Sequence, residues 1–193
     1  GQALAIEYAK PQNLLFLCGR NKERLYQTAA ICKEKGAEVV TYIFDVTDAF
    51  AAQEAVLNAE STCPIDLLIA NAGISGGVLG EAEGSTQTRQ VFNTNIFGVA
   101  NTVLPVLERM RQRKSGQVAI VASIAGYRGL PSAPAYSASK ACVKAWGEAL
   151  RGWLCASNIK VNVICPGFIK TPLTDVNVFK MPFLMQPPKA ARI

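Results

Sequence analysis

Five short apolar runs typical of β-strands alternate with helix-like stretches along the chain, and this order limits the possible folds more than any other feature. The apolar runs lie at residues 13–18, 38–44, 66–70, 117–122 and 160–165. The helix-like stretches lie at 22–35, 48–60, 87–113 and 135–157. Strands and helices of these lengths form βαβ crossovers when they alternate. We therefore predict an α/β fold in which a parallel sheet is covered by helices on both faces.

The chain has the length and composition of a single domain. Its 193 residues are enough to bury one sizeable core. No run of eighteen apolar residues occurs, so the sequence predicts no membrane span. We treat residues 1–193 as one unit.

Residues with functional side chains or tight turns follow each predicted strand. In open parallel sheets, ligands bind at the carboxyl ends of the strands, so these residues should share one edge. They are Arg20 and Asn21, Asp45 and Val46, Asn71, Ala72 and Gly73, Ser123, and Pro166 and Gly167.

Tyr136 and Lys140 are four residues apart on a predicted helix, and Ser123 lies thirteen residues before Tyr136. Side chains four apart share a helix face, so the phenol and the ammonium should point into one site. A nearby cation stabilises a phenolate, so we expect the pKa of the phenol to fall toward neutrality. Ser123 could hold a substrate oxygen beside the phenol. Taken alone, the pair could also be an ordinary surface Tyr and Lys on an amphipathic helix.

Taken together, the motifs resemble those of the short-chain dehydrogenase/reductase family, in order and at family-like spacing. The Asn-Ala-Gly motif is present at Asn71, Ala72 and Gly73, and Asn95 stands in an Asn-Thr-Asn-Ile-Phe-Gly segment. The serine, the Tyr-x-x-x-Lys pair and a Pro-Gly-x-Ile-x-Thr turn follow at Ser123, Tyr136, Lys140 and residues 166–171. The resemblance covers essentially the whole chain.

The resemblance implies a Rossmann-like, doubly wound, three-layer fold and hydride transfer between a nicotinamide cofactor and a carbonyl or alcohol substrate. It gives Tyr136 the role of general acid and base, Lys140 that of lowering the phenol pKa and holding the ribose, and Ser123 that of orienting the substrate. Asn95 would position a water, Asp45 would contact the adenine, and Ile169 and Thr171 would hold the carboxamide. A homodimer or homotetramer is also implied.

Arg20 bears on the choice of cofactor. NAD-dependent folds place a carboxylate after the second strand to hold the ribose, whereas NADP needs a cation for its 2′-phosphate. No carboxylate stands at this turn, and Lys22 and Arg24 lie nearby. We therefore favour NADP(H) over NAD(H). The alternative is that Arg20 is a solvated loop residue.

Gly1 resembles the last glycine of the family's Gly-x-x-x-Gly-x-Gly turn, which binds the pyrophosphate after the first strand. We therefore expect the chain to be a fragment that lacks this strand and continues beyond Ile193. The missing strand would leave unpaired backbone groups on two neighbouring strands. A polypeptide of these residues alone should bind dinucleotide weakly.

Several function classes are disfavoured by what the sequence lacks. Without any histidine, a Ser-His-Asp hydrolase and a His-ligated zinc site are excluded, and we expect no metal. The six cysteines form no Cys-x-x-Cys pair and mostly fall in apolar runs, which is typical of reduced core residues in a cytoplasmic protein.

The net charge of +6 raises the possibility of a nucleic-acid partner. Arg109, Arg111, Arg113 and Lys114, however, end a predicted helix with no aromatic residues interleaved. A solvated helix end is the better interpretation, so no nucleic-acid partner is expected.

Substrate identity is left open by the sequence, beyond a small carbonyl or alcohol compound. The apolar segment within residues 172–188, including Val178 and Phe179, occupies the position of the family's substrate lid. It would favour apolar substrates, although core packing or an oligomer contact would explain it equally well. The competing function is a catalytically silent dinucleotide-sensing or scaffold protein of the same fold.

Overall fold

The structure, a computed structural model, describes residues 1–75, 83–175 and 180–193. Its five strands are β1 (Leu14–Gly19), β2 (Glu38–Ile43), β3 (Leu67–Ala70), β4 (Gly116–Val121) and β5 (Ile159–Ile164). Its seven α-helices are α1 (Gln2–Tyr8), α2 (Lys22–Glu34), α3 (Ala49–Thr62), α4 (Ser85–Phe92), α5 (Gly98–Arg113), α6 (Pro134–Leu154) and α7 (Pro187–Ala191). The predicted elements are all present, with ends that differ by a few residues.

All strand pairs are parallel, and they form two sheets. β1 pairs with β2, while β4 lies between β3 and β5. Within the described residues, β1 and β3 each have a strand partner on one side only. The expectation that a further strand precedes Gly1 stays a prediction.

The helices pack in two groups, as expected for the two outer layers of an α/β sandwich. Helix α1 contacts both α2 and α7 in one group, whereas in the other α3 packs on α5 and α4 packs on α6. The main core lies between this second group and β3–β5, and includes the fully buried Met110, Ile120 and Leu154. A smaller core around Cys32 joins α1, α2, β1 and β2. The predicted α/β class with a parallel sheet is confirmed.

The long helix predicted at residues 87–113 contains an interruption. Helix α4 continues into a π-helical turn, Asn93–Phe97, before α5 begins at Gly98. A π turn holds one more residue than an α turn and is frequent at functional sites. Here it contains Asn95, which is fully buried.

The basic run at the end of α5 is only partly solvated, which corrects the expectation for Arg113. Its guanidinium forms an ion pair with Glu60 at 2.7 Å and donates to the backbone oxygen of Ile65. The Glu60 side chain is only 7% exposed. Arg111 lies over the ring of Trp153 at 4.8 Å. Two of these cations therefore have structural partners, which gives no support to a nucleic-acid surface.

The expectation that the cysteines are core residues is wrong for most of them. All six thiols are free, but only Cys32 is buried and Cys165 is half-buried; the other four are exposed. Side chains alternate between the two faces of a strand and around a helix, so an apolar run does not bury each of its members.

The C-terminal segment returns to the edge of the sheet where β5 ends. The backbone amide of Lys170 donates to Met185, and that of Met185 donates to Phe168. In the proposed lid, Phe183 is 98% exposed, while Val178 and Phe179 lie outside the described residues. No helix in the described part of the chain is long and apolar enough to cross a membrane.

Replacing Arg113 with Ala should lower the free energy of unfolding by about 3 kcal/mol, because it leaves the buried Glu60 carboxylate without its cation. Arg109→Ala is the matched control: Arg109 is exposed on the same helix, and its loss should change stability by less than about 0.5 kcal/mol. Urea denaturation of both variants measures the difference. Equal stabilities would show that the Glu60 pair does not stabilise the fold.

Candidate active site

A cavity of about 1100 Å³ lies at the carboxyl ends of β3, β4 and β5. Most of the predicted site residues line it. These are Gly1, Asn71, Gly73, Ser123, Tyr136, Lys140, Pro166, Gly167, Ile169 and Thr171. Arg20, Asn21, Asp45, Val46, Ala72 and Asn95 do not. Gly1 lies against Asn71, since a Cβ added at Gly1 would come within 3.2 Å of the Asn71 amide nitrogen.

Ser123 and Tyr136 meet on one wall of the cavity. Ser123 follows β4 and caps a short 3₁₀ turn, where its hydroxyl accepts a hydrogen bond from the amide of Ala125 at 3.1 Å. Tyr136 is in the first turn of α6, and its phenol lies close enough to the Ser123 hydroxyl for that group to favour the phenolate. The turn can approach α6 closely because residue 126 is glycine: a Cβ there would lie 2.8 Å from the backbone of Lys140.

Lys140 is buried one helical turn after Tyr136, with 4% of its surface exposed. Its Nζ donates to the backbone oxygen of Val121 at 2.9 Å and lies 5.9 Å from the centre of the Tyr136 ring. Burial lowers the pKa of Lys140 to about 8, against a smaller opposing effect of Cys165. A substantial fraction of this side chain is therefore neutral at pH values slightly above neutrality.

The pKa of Tyr136 differs from the expectation drawn from the sequence. Burial raises the pKa of this phenol above its ordinary value, and the hydrogen bond with Ser123 opposes the increase only in part. Lys140 stands over the ring and donates to Val121, so its charge does not offset the desolvation of the phenolate. Tyr136 is therefore protonated at neutral pH in this structure.

Asn95 fixes the loop after β3 to helix α6. Its amide oxygen accepts from the backbone amide of Ile74 at 2.8 Å. Its Nδ2 donates to the backbone oxygen of Ile74 and to the hydroxyl of Ser139. Both amide hydrogens are thus used within the protein, and the side chain has an architectural role. Its proposed role in positioning a water stays a prediction.

Arg20 and Asp45 follow β1 and β2 and form an ion pair at 3.0 Å. Partial burial favours a higher pKa for Asp45, but hydrogen bonds from Thr47 and Arg20 outweigh it, so the pKa is lowered. Asn21 accepts a hydrogen bond from Arg24 and caps helix α2. The backbone oxygen of Val46 accepts from the side chain of Asn101. Arg20 is therefore held by a partner while 63% of its side chain is exposed to solvent, and its role in binding a cofactor stays a prediction.

The loop after β5 is organised by a residue that sequence reasoning missed, Thr174. Its hydroxyl donates to the backbone oxygen of Ile169 at 2.6 Å and accepts from the amide of Thr171 at 3.0 Å. Thr174 stands three residues after Thr171, and a threonine in a turn commonly bonds the nearby backbone through its hydroxyl. The sequence therefore contained a pattern that could have identified this residue. The loop brings Ile169 and Thr171 to the cavity wall.

A second residue missed from the sequence is Glu83. Its carboxylate accepts hydrogen bonds from the backbone amides of Ala135 and Tyr136, at the start of α6. The N-cap residue Ala133 has no side chain that can accept a hydrogen bond. The absent cap was the only indication in the sequence that a distant acceptor must supply one.

The chain belongs to the short chain dehydrogenase family, whose model matches residues 1–180. It is 38% identical over 188 residues to an uncharacterised oxidoreductase of Myxococcus xanthus, covering 96% of this chain and 74% of that protein. A 3-oxoacyl-acyl-carrier-protein reductase of Thermotoga maritima is 31% identical, with 91% of this chain and 72% of that protein covered. Against the ketoacyl reductase HetN of Nostoc, at 31% identity, the match covers 88% of this chain and 59% of the relative.

Solved structures of the same family superpose on this fold. An NAD⁺-bound xylitol dehydrogenase gives a TM-score of 0.83 at 31% identity, covering 89% of this chain and 66% of that chain. Actinorhodin polyketide ketoreductase with NADPH gives 0.86 at 27% identity, covering 99% and 82%. The Rossmann-like α/β fold and membership of an oxidoreductase family are thereby confirmed. Because one of these structures carries NAD⁺ and the other NADPH, they do not decide between the two cofactors.

Lys140→Met should stabilise the protein at pH 7 by about 1–2 kcal/mol. A pKa lowered to about 8 means that the folded state disfavours the charged amine by about 3 kcal/mol below pH 8, and losing the bond to Val121 offsets about 1 kcal/mol. As pH rises from 8 to about 10.5, the unfolded state binds more protons, so wild-type stability rises and the difference shrinks. Denaturant titrations between pH 6 and 10 measure it. A less stable variant with a pH-independent difference would contradict the burial argument.

Proposed function

We propose that the protein transfers a hydride between NADP(H) and a carbonyl or alcohol substrate, with Tyr136 as general acid in reduction and general base in oxidation. The observation that carries the proposal is the joint position of Ser123, Tyr136 and Lys140 on one wall of the cavity. The Ser123 hydroxyl acts on the phenol of Tyr136, and both residues line the cavity, so we expect both groups to reach one substrate oxygen. An exposed Tyr and Lys on an amphipathic helix would lack this burial.

The cavity has room for a ligand beside Lys140. Gly73 lies where a Cβ would come within 3.3 Å of the Asn95 amide oxygen and 3.4 Å of the Lys140 ammonium. The missing side chain keeps the space beside Lys140 open to a ligand. Residues that would hold the cofactor are Gly1, Asn71 and Gly73 on one side and Pro166, Gly167, Ile169 and Thr171 on the other.

NADP(H) supplies or accepts the hydride when it is bound. In reduction, the protonated phenol of Tyr136 gives its proton to the carbonyl oxygen, and Ser123 donates a hydrogen bond to the same oxygen as negative charge develops there. We propose that the Lys140 ammonium supports the phenolate that forms in this step, although it does not offset the desolvation of the phenolate before the reaction. With a pKa above its ordinary value, Tyr136 is protonated at neutral pH, so its proton is available for reduction.

Preference for NADP(H) rests on Arg20. The Asp45 ion pair uses one nitrogen of the guanidinium and leaves other donors free for a 2′-phosphate, while 63% of the side chain is exposed. The ion pair with Asp45 also fixes the direction of the Arg20 side chain. Asp45 would itself hold the adenine amino group through its remaining acceptor capacity.

The substrate that we propose to test first is a 3-oxoacyl thioester. Two relatives carry the names of a 3-oxoacyl-acyl-carrier-protein reductase and a ketoacyl reductase. The volume of the cavity, which must also hold the cofactor, slightly exceeds the usual range of about 300–1,000 Å³ for small-molecule sites. Among its lining residues, Arg128 and Lys170 are exposed cations that would suit an anionic carrier group.

We also propose a homodimer or homotetramer and a cytoplasmic location. Phe97, Leu104 and Arg111 recur every seven residues on one helix face, and the first two are 60% and 54% exposed. Trp153 stacks on Arg111 and is 60% exposed. An apolar surface of this kind favours contact with a second copy. Six free thiols suit a reducing compartment.

Tyr136→Phe should lower kcat by about 10²–10⁴-fold and leave NADPH affinity nearly unchanged, because it removes the proton donor and keeps the ring. Tyr127→Phe is the control: this exposed tyrosine lies outside the cavity lining, so its loss should leave kcat intact. NADPH absorbance during a screen of carbonyl compounds gives the rates. More than about a tenth of the wild-type rate in Tyr136→Phe would refute the assignment. Tight NADPH binding without turnover of any compound would favour the silent alternative.

The wild type should bind NADPH more tightly than NADH, and Arg20→Asp should invert the order by repelling the 2′-phosphate and accepting ribose hydroxyls. Arg20→Ala adds no second carboxylate beside Asp45, so it should only abolish the preference for NADPH over NADH. Arg109→Asp controls for the change in net charge. Fluorescence titration of all four proteins with NADPH and with NADH gives the affinities. Equal affinities in the wild type, or an unchanged order in Arg20→Asp, would show that Arg20 does not bind the phosphate.

A further inference from the structure

The start of helix α6 has an incomplete set of backbone hydrogen bonds of its own. The first intrahelical bond runs from Ser137 to Ala133. The amide of Ala133 donates to Leu130, and Pro134 has no amide hydrogen. Two orphan donors therefore remain at this end of the helix, the amides of Ala135 and Tyr136.

Both donors are satisfied by one side chain from a distant part of the chain. Oε2 of Glu83 accepts from Ala135, and Oε1 accepts from Tyr136 at 3.2 Å. A carboxylate is favoured here because it meets the positive end of the helix and forms charge-assisted bonds. The amide of Tyr136, the proposed proton donor, is thus bound directly.

We infer that Glu83 is a positioning residue that sets the place of Tyr136 in the site. This inference rests on the proposed role of Tyr136. Glu83 stands directly before the N-cap of α4, and α4 leads into the π turn with Asn95. Asn95 binds Ser139 on the same helix α6. Residues 83–95 therefore hold α6 at two places, the backbone amides of Ala135 and Tyr136 and the side chain of Ser139.

The consequence for the reaction is geometric. The phenol must meet a substrate oxygen that Ser123 orients from a different element, β4 and its 3₁₀ turn. Misplacement of a reacting group by about 1 Å can cost about 100-fold in rate. Glu83 does not line the cavity, so its loss should affect turnover more than binding.

The test combines two variants with a matched control. Glu83→Ala removes both acceptor oxygens. Glu83→Gln keeps one acceptor oxygen and places an NH2 group, which cannot accept a hydrogen bond, against the second backbone amide. Glu60→Gln makes the same chemical change at another partly buried carboxylate that accepts a backbone amide, that of Ile65. We expect kcat to fall about 10- to 100-fold in Glu83→Ala and less in Glu83→Gln. KM for NADPH should stay within about twofold, and Glu60→Gln should keep kcat despite its lower stability.

A second measurement does not depend on turnover. Hydrogen exchange at the amides of Ala135 and Tyr136, followed by NMR, should accelerate about tenfold or more in Glu83→Ala, as a charged hydrogen bond is lost. Unchanged exchange would overturn the inference, as would faster exchange with unaltered kcat or an equal kcat loss in Glu60→Gln. An inactive wild type, or a fully active Tyr136→Phe variant, would instead refute the proposed function.

Discussion

The buried amide of Asn95 is the interaction on which the rest of the site depends. Three hydrogen bonds from one side chain join the loop after β3 to helix α6, and no solvent reaches it. A buried amide with all its partners in place stabilises one arrangement, whereas loss of a partner is costly. The position of Gly73 against Lys140, and therefore the open side of the cavity, follows from this link.

Burial of Lys140 is unfavourable for folding, but the proposed chemistry needs this residue in the site. An ammonium that is 96% removed from solvent, with one backbone oxygen as its hydrogen-bond partner among the described residues, destabilises the folded state near neutral pH. The fully buried core beside it, with Ile120 and Val118 on the central strand β4, provides compensating apolar burial. Functional sites commonly retain such local instability.

The sequence predicted the elements and most of the cavity wall, because both depend on local pattern. Apolar periodicity located the strands to within a few residues, and the strand ends located Asn71, Ser123 and Gly167. The sequence could not predict contacts between distant segments of the chain. Glu83 reaches α6 across 52 residues, and Arg113 reaches Glu60 across 53. The prediction that the pKa of Tyr136 is lowered was wrong for the same reason. The spacing between Tyr136 and Lys140 does not show where Nζ of Lys140 points or how deeply the phenol is buried.

The π turn at residues 93–97 sets the rotational phase between the two halves of a long helix. Each residue advances an α-helix by about 100°, so eight regular α-helical steps would turn Val99 about 80° away from Val91. The wider π turn absorbs one extra residue, and Val91 before it and Val99 after it both face the interior. Deleting that residue would restore a regular α-helix with the same two faces inward, whereas inserting another would rotate one of these faces toward solvent. This segment should therefore tolerate the loss of one residue more readily than a further insertion.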